Sequence, residues 1–156
     1  MFKNFGDYFF SDDKAALQIE SVHQMLKDTY WCRGIPMTVL VKAIKNSICF
    51  GVYKNNQQVG FARVVTDQAT FAWLCDVIIH PDHQGKGLGK MLVSFVQAHP
   101  QLQKLRRVCL VTKDAHSLYE QFGFKVTETP KNWMEIKNND IYLNWEIPVD
   151  PTASPN

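Results

Sequence analysis

The residues Gln84-Gly85-Lys86-Gly87-Leu88-Gly89-Lys90 stand between the apolar run Val77-Ile78-Ile79 and the helical pattern of Met91-Leu92-Val93-Ser94-Phe95-Val96. A strand, a glycine-rich turn and a helix in that order make an anion site. Glycines let the backbone approach a ligand closely, and the first free N–H groups of the helix face it with the positive end of the dipole behind them. The ligand expected there carries phosphate. A dinucleotide fingerprint, G-x-G-x-x-G, fails because Lys90 stands where Gly85 and Gly87 would require a glycine. A Walker loop fails as well, since Gln84 and Met91 occupy its glycine and hydroxyl positions.

The spacing that remains is Gln-x-x-Gly-x-Gly, met by Gln84, Gly87 and Gly89. It resembles the acyl-CoA pyrophosphate loop of the GNAT superfamily of N-acetyltransferases. A second block, Thr112-Lys113-Asp114-Ala115-His116-Ser117-Leu118-Tyr119-Glu120-Gln121-Phe122-Gly123-Phe124, resembles the closing segment of the same family. Ala115, Leu118, Tyr119, Glu120, Gly123 and Phe124 match in register. Thr112 departs from it, since asparagine is common there. The likeness is strong over residues 50 to 125 and holds elsewhere in layout.

That resemblance implies an N-acetyltransferase that moves an acetyl group from acetyl-CoA to an amine by direct transfer in a ternary complex. Residues Gln84, Gly85, Lys86, Gly87, Leu88, Gly89 and Lys90 would hold the pyrophosphate. Val77, Ile78 and Ile79 would align the pantetheine arm as an added strand, with the N–H of Ile78 polarising the thioester carbonyl. Tyr119 matches the position of the acid that protonates the departing sulfur. A tyrosine of reference pKa about 10 donates to a thiolate of about 8.5 only when positioning offsets the mismatch. Its other reading is a helix residue that packs its ring on the core.

Asp76 is an ionisable group in the apolar run Trp73-Leu74-Cys75-Asp76-Val77, a costly placement unless it is bonded or faces a wet cavity. It could accept the amine proton, hold a cationic substrate, or be a structural aspartate tied to nearby backbone N–H groups. Thr112 and His116 are placed by the resemblance near the cofactor arm, and a surface histidine fits His116 equally well. Tyr30-Trp31 and Trp133 fall at the variable substrate wall, where rim or core packing is the plainer reading. The cluster Lys104, Arg106, Arg107 reads as a solvated loop, with a contact to an outer phosphate as the alternative. A non-catalytic acyl-CoA-binding or sensing module is the competing class, since it would use the same loop.

The elements that must position these residues follow an alternating α/β order. Tyr8-Phe9-Phe10 reads as a strand, Leu17 to about Tyr30-Trp31 and Val39 to Ile44 as helices, and Ile48 to Tyr53 and Val59 to Val65 as a hairpin turning at Asn55-Asn56. Thr70 to Ile79 and Val108 to Val111 read as strands, with helices at Gly87 to Ala98 and Ala115 to Phe122. Phe124 to Val126 and Ile141 to Trp145 are predicted as final strands, and Pro148, Pro151 and Pro155 mark a tail over 148–156 expected not to order. The fold class is α/β: one acyltransferase domain over 1–147, a mixed, largely antiparallel sheet of six to seven strands flanked by four helices. On the resemblance, Thr70 to Ile79 and Val108 to Val111 lie parallel and splay apart, and acyl-CoA enters the gap.

Composition narrows the partners. The chain has 156 residues, 46% apolar and 21% charged, which fits one globular domain. With 17 basic against 15 acidic residues, the charge balance points to no nucleic acid and no membrane surface. The acceptor expected is a small-molecule amine. Homodimers are common in the family, but nothing in the sequence specifies one. Cys32, Cys49, Cys75 and Cys109 stand singly without zinc spacing, and His80 and His83 lack further ligands nearby, so no metal is expected. Lone cysteines and the lack of a signal or long apolar span fit a reducing, cytoplasmic setting. No cysteine has a nucleophile's context, so a covalent acyl-enzyme is disfavoured.

Overall fold

The middle of the chain builds a sheet because its residues can be buried on both faces. The computed structural model describes residues 1–143 and Trp145. Strands β3 (Ile48–Lys54), β4 (Gln57–Thr66) and β5 (Phe71–Ile79) form an antiparallel meander in which most side chains are buried. Asn55 and Asn56 take φ of 50° and 63° at the first turn, the left-handed pair that a tight hairpin demands and that asparagine tolerates. At the second turn the Asp67 carboxylate accepts the N–H groups of Ala69, Thr70 and Phe71 and the Thr70 hydroxyl, which holds it well below the usual carboxylate range.

Strand β2 (Tyr8–Ser11) pairs antiparallel with β3. Strand β1 (Phe2–Phe5), which the sequence did not announce, pairs antiparallel with β2. All four of its residues are exposed, so no burial pattern marks it. On the other side β6 (Arg107–Cys109) runs parallel to β5. The sheet order is β1-β2-β3-β4-β5-β6.

Helices cover both faces. On one, α1 (Ile19–Leu26) and α2 (Met37–Lys45) bury Val22 and Leu26, and Leu40 and Ile44, against Cys49 and Phe61. Each pair lies four residues apart, on one helical face. On the other, α3 (Leu88–Gln97) buries Leu88, Leu92, Val93, Phe95 and Val96, and α4 (His116–Glu120) buries Tyr119, against Phe50, Val52, Ala62, Val64 and Leu74. Pro100 stands just past α3, where the residue before a proline avoids helical geometry.

Two expected strands, Phe124 to Val126 and Ile141 to Trp145, do not form among the described residues. Residues 124–126 form no strand, and Ile141, Tyr142 and Leu143 form a turn. Phe124 and Tyr142 pack against the core, but the other apolar side chains there do not all find a buried face: Val126 is 70% exposed and Leu143 60%. Asn144 and the expected tail over 148–156 lie outside the described residues. Among the described residues no helix is long and apolar enough to cross a membrane.

Candidate active site

The site begins where β5 and β6 part. Their pairing consists of Phe71↔Arg107, Ala72↔Val108 and Trp73↔Cys109, and beyond Trp73 the outer edge of β5 has no partner strand among the described residues. One irregularity coincides with this departure. The register of β4 with β5 shifts between Phe61 and Arg63, which leaves one extra residue in β5. That residue is Asp76 or its neighbour Val77, and Asp76 has φ of +55°, in the left-handed region. A bulge of this kind bends its strand and increases the local twist.

Register also settles which backbone groups face the gap. The N–H of His80 donates to the carbonyl of Val59 at 2.8 Å, so that pair is hydrogen-bonded. Antiparallel pairs alternate, so Phe61↔Ile78 is hydrogen-bonded and Gly60↔Ile79 is not. The N–H of Ile78 therefore faces β4, and the expectation that it polarises a thioester carbonyl does not fit this register. Ile79 and, two residues back, Val77 point their backbone groups away from β4, into the gap. In keeping with this, the carbonyl of Ile79 accepts from Gln84 Nε2 at 2.9 Å.

Gln84 thus ties the loop to the strand end. Gly85 and Gly87 have φ of 74° and 78°, conformations that side chains with a Cβ rarely adopt, and Gly87 is the N-cap of α3. Among the described residues, none of the N–H groups of residues 85–90 donates to a backbone acceptor, and the first helical bond runs from Met91 to Gly87 at 3.0 Å. No side chain caps α3 either. A row of free donors sits at the positive end of a ten-residue helix, with Lys86 and Lys90 exposed beside it. The loop sequence therefore produces a run of donors with no internal acceptor to satisfy them.

Across the gap, α4 brings Tyr119 to a cavity of about 650 Å³ shared with Trp73, Thr112, His116 and the outer edge of β6. Burial, then Tyr30 and Asp114, push the Tyr119 hydroxyl up to about 12. Its ring packs edge-on to Phe124 at 5.8 Å. Thr112 Oγ1 accepts the N–H of Ala115 at 3.0 Å, which closes the turn before α4 and leaves the threonine's own proton free to donate. His116 is exposed at the cavity rim. Asp76, Val77 to Ile79 and the loop do not line this cavity. They meet Tyr119 instead through the core, where Val77, Ile79, Leu88 and Tyr119 belong to one apolar cluster.

Asp76 is not open to a ligand. Its side chain is 4% exposed. Oδ2 accepts from Arg63 Nε, and Oδ1 accepts from the Cys32 thiol at 3.4 Å. Arg63 Nη1 also donates to Ser47 Oγ at 3.2 Å. Burial opposes the Arg63 charge, while the Asp76 carboxylate and neighbouring thiols hold its pKa above the usual guanidinium value. Burial, then Asp76, push the Cys32 thiol well above the usual thiol range. This geometry supports the structural alternative for Asp76, with an arginine and a thiol as partners in place of backbone N–H groups.

Arg63, Cys32 and Ser47 were missed from sequence. A signal existed for Arg63, because an arginine inside Val59-Gly60-Phe61-Ala62-Arg63-Val64-Val65 is as anomalous as an aspartate inside the next strand.

Other expectations resolve by position. Arg107 opens β6 opposite Phe71, at the far end of β5 from the loop, about 25 Å away at ~3.3 Å per residue. The outer-phosphate alternative for that cluster does not fit, and Arg107 instead lies 5.5 Å over the Trp133 ring. Tyr30 and Trp31 pack edge to face at 4.7 Å, and Tyr30 Oη accepts the N–H of Lys113 at 3.1 Å. That bond joins the α1–α2 loop to the loop leading into α4. His83 Nδ1 is hydrogen-bonded to the Tyr8 hydroxyl at 3.0 Å.

Residues 45–126, which span the gap, the loop and α4, match the acetyltransferase (GNAT) domain family. The chain belongs to the GNAT family. A Gibberella zeae protein, FG08082, named as an acetyltransferase, is 34% identical over 142 residues, covering 77% of this chain and 80% of its own. A solved GNAT-family structure from Xanthomonas campestris pv. campestris is 42% identical, with a TM-score of 0.85 over 89% of this chain and 99% of that one. A Clostridium acetobutylicum structure with acetyl-CoA shares the fold at a TM-score of 0.61 and 16% identity, over 88% of this chain and 96% of that one. This GNAT chain is thus an acetyltransferase by family, and the matched residues include the open edge of β5, the loop and α4.

Proposed function

We propose that this GNAT protein is an acetyl-CoA-dependent N-acetyltransferase acting on a small-molecule amine by direct transfer in a ternary complex. The observation that carries the reading is the row of unbonded N–H groups over residues 85–90, set at the positive end of α3 and beside the unpaired edge of β5. Together they fit a ligand with a diphosphate at one end and an amide-bearing arm at the other. The bound thioester supplies an activated acetyl carbon.

The roles of the chain's own residues follow. Gly85, Lys86, Gly87, Leu88, Gly89 and Lys90 bind the diphosphate through their backbone, with the two lysines adding charge, while Gln84, whose own N–H donates to the Pro81 carbonyl, holds the loop to the strand end. Val77 and Ile79 hold the arm with the backbone groups they turn to the gap, and one of their N–H groups faces the oxygen on which charge develops. Tyr119 keeps its proton in a partly dry cavity and gives it to the departing sulfur. Thr112 and His116 stand at the rim of that cavity, within reach of the arm. A covalent acyl-enzyme has no support, since burial raises rather than lowers the thiols of Cys32, Cys49, Cys75 and Cys109. Four free thiols also suit a reducing, cytoplasmic setting.

Calorimetric titration with acetyl-CoA tests the reading, run on the wild type and on Gly87→Glu. The wild type is expected to bind, and the variant to lose binding while keeping its circular dichroism spectrum. A well-folded wild type that does not bind removes the acyl-CoA assignment altogether. Binding without transfer to any amine would instead establish a sensing module.

A further inference from the structure

The left-handed backbone of Asp76 demands an explanation that the chemistry above does not give. A residue with a side chain at φ of +55° within a strand is strained, and such strain persists only where the surroundings fix it. Here the surroundings are specific. Arg63 Nε holds Oδ2, the Cys32 thiol holds Oδ1, and Arg63 Nη1 reaches Ser47 Oγ. Ser47 Oγ in turn donates to the carbonyl of Ala43 at 2.7 Å, near the end of α2. The bulge is therefore tied to α2 through Arg63 and Ser47, and to the α1–α2 loop directly through the Cys32 thiol.

Its place along the strand gives the tie a consequence. The register shift at Asp76 comes three residues after the last contact of β5 with β6, and directly before Val77 and Ile79. Had β5 continued from Arg63↔Cys75 in regular register with no bulge, Val77 in place of Ile78 would stand opposite Phe61, and every side chain and N–H beyond would change sides. The bulge decides that Val77 and Ile79 turn their N–H groups to the gap. Gly60 tightens the constraint, because a Cβ there would stand 2.6 Å from Ile79 Cδ1 and 3.1 Å from the Ile78 carbonyl, so β4 follows the bent strand closely.

We infer that Arg63 is a positioning residue for transfer, acting through Asp76 to hold the bulge that aims the Val77 and Ile79 N–H groups into the gap. This rests on the reading of the gap as the acyl-CoA site. Asp76 serves here as the anchor of the bend, with its charge spent on Arg63. The diphosphate loop lies beyond the bulge and keeps its own donors, so cofactor affinity and turnover should respond differently when the tie is cut.

The test compares Arg63→Met, Arg63→Lys, Asp76→Asn and the double variant Arg63→Met/Asp76→Asn. Acetyl-CoA affinity is read by calorimetry, turnover by thiol release with an accepted amine, and the amides of Val77 and Ile79 by nuclear magnetic resonance. Arg63→Met is expected to lower kcat tenfold or more, to change the acetyl-CoA Kd less than threefold, and to shift both amides. Arg63→Lys should recover part of kcat. The double variant should exceed Arg63→Met in kcat, since it leaves no unpaired buried charge. Asp76→Asn keeps an acceptor for Arg63 and should leave the acid limb of the pH profile in place.

Two outcomes overturn the inference. One is an Arg63→Met protein with kcat and amide shifts like the wild type. The other is an Asp76→Asn protein whose acid limb disappears, which would make Asp76 the proton acceptor. Should Arg63→Met fail to fold, Asp76→Asn and the Val77 and Ile79 amides still decide. Failure of the wild type to bind acetyl-CoA is a separate result and counts against the acyl-CoA reading itself.

Discussion

Tyr119 would act as an acid through the place in which its hydroxyl is held. A free tyrosine at about pH 10 is half ionised, and an ionised phenol cannot protonate sulfur. Burial against the apolar cluster below α4 disfavours the charged form and raises the group to about 12. The proton is therefore retained across the range in which an amine acceptor becomes neutral and nucleophilic. Wild-type kcat is expected to stay level between pH 8 and 10 once the amine is saturating. Tyr119→Phe should lower kcat by about 100-fold, the range typical of a lost general acid, with acetyl-CoA Kd changed less than threefold. The check is a stopped-time assay across that pH range on both proteins. A wild-type decline with an apparent pKa below 10 that vanishes in Tyr119→Phe would show that the hydroxyl is not raised. Tyr119→Phe with unchanged kcat would remove its role as acid.

At the scale of elements, the entry to α3 separates two glycines that look alike in the sequence. Gly87 caps the helix at φ of 78°, where a Cβ costs about 1–2 kcal/mol. Gly89 lies in the first turn, and a Cβ there would only touch Leu118 Cδ2 at an ordinary 3.9 Å. Gly87→Ala is expected to lower stability by about 1–2 kcal/mol. Gly89→Ala should be neutral or up to about 1 kcal/mol more stable, because a glycine in a helix is unfavourable relative to alanine. Urea unfolding with a shared slope distinguishes the two, and equal losses would mean that the first turn has no room for a side chain.

The same contrast explains what was legible. The meander β3, β4 and β5 was readable because burial on both faces gives continuous apolar runs and Asn55-Asn56 closes the first hairpin. The loop was readable because glycine spacing carries backbone geometry. Strand β1 escaped notice since its exposed residues leave no pattern, and residues 124–126 and 141–143 misled because apolar composition does not supply a partner edge. Asp76 was visible as an anomaly, but its bulge and its partner Arg63 depend on register across two strands. A one-residue shift of that kind has no signature within either strand alone, and it moved the gap-facing N–H groups from Ile78 to Val77 and Ile79.

For the molecule as a whole, three thiols and Tyr53 share one sign. Cys49 is raised to about 11, Cys75 and Tyr53 to about 12, and Cys32 further, in each case chiefly by burial. All four favour the protonated form in the folded chain, so between the ordinary and raised values the native state binds more protons than the unfolded one. Stability is then complete below the unfolded thiol value of 9.0 and falls as pH rises toward about 11 and 12. Cys49, only 1% exposed, isolates the effect: its shift from 9.0 to about 11 is worth on the order of 2–3 kcal/mol when fully expressed. Urea midpoints should therefore hold steady from pH 7 to about 9 and decline from there to pH 11. Cys49→Ala should lose some stability at neutral pH through the vacated thiol volume, and then decline less steeply than the wild type over the alkaline range. Parallel slopes in the two proteins would mean that Cys49 ionises as easily folded as unfolded, and the densely packed face between β3 and α2 would have to admit water to allow it.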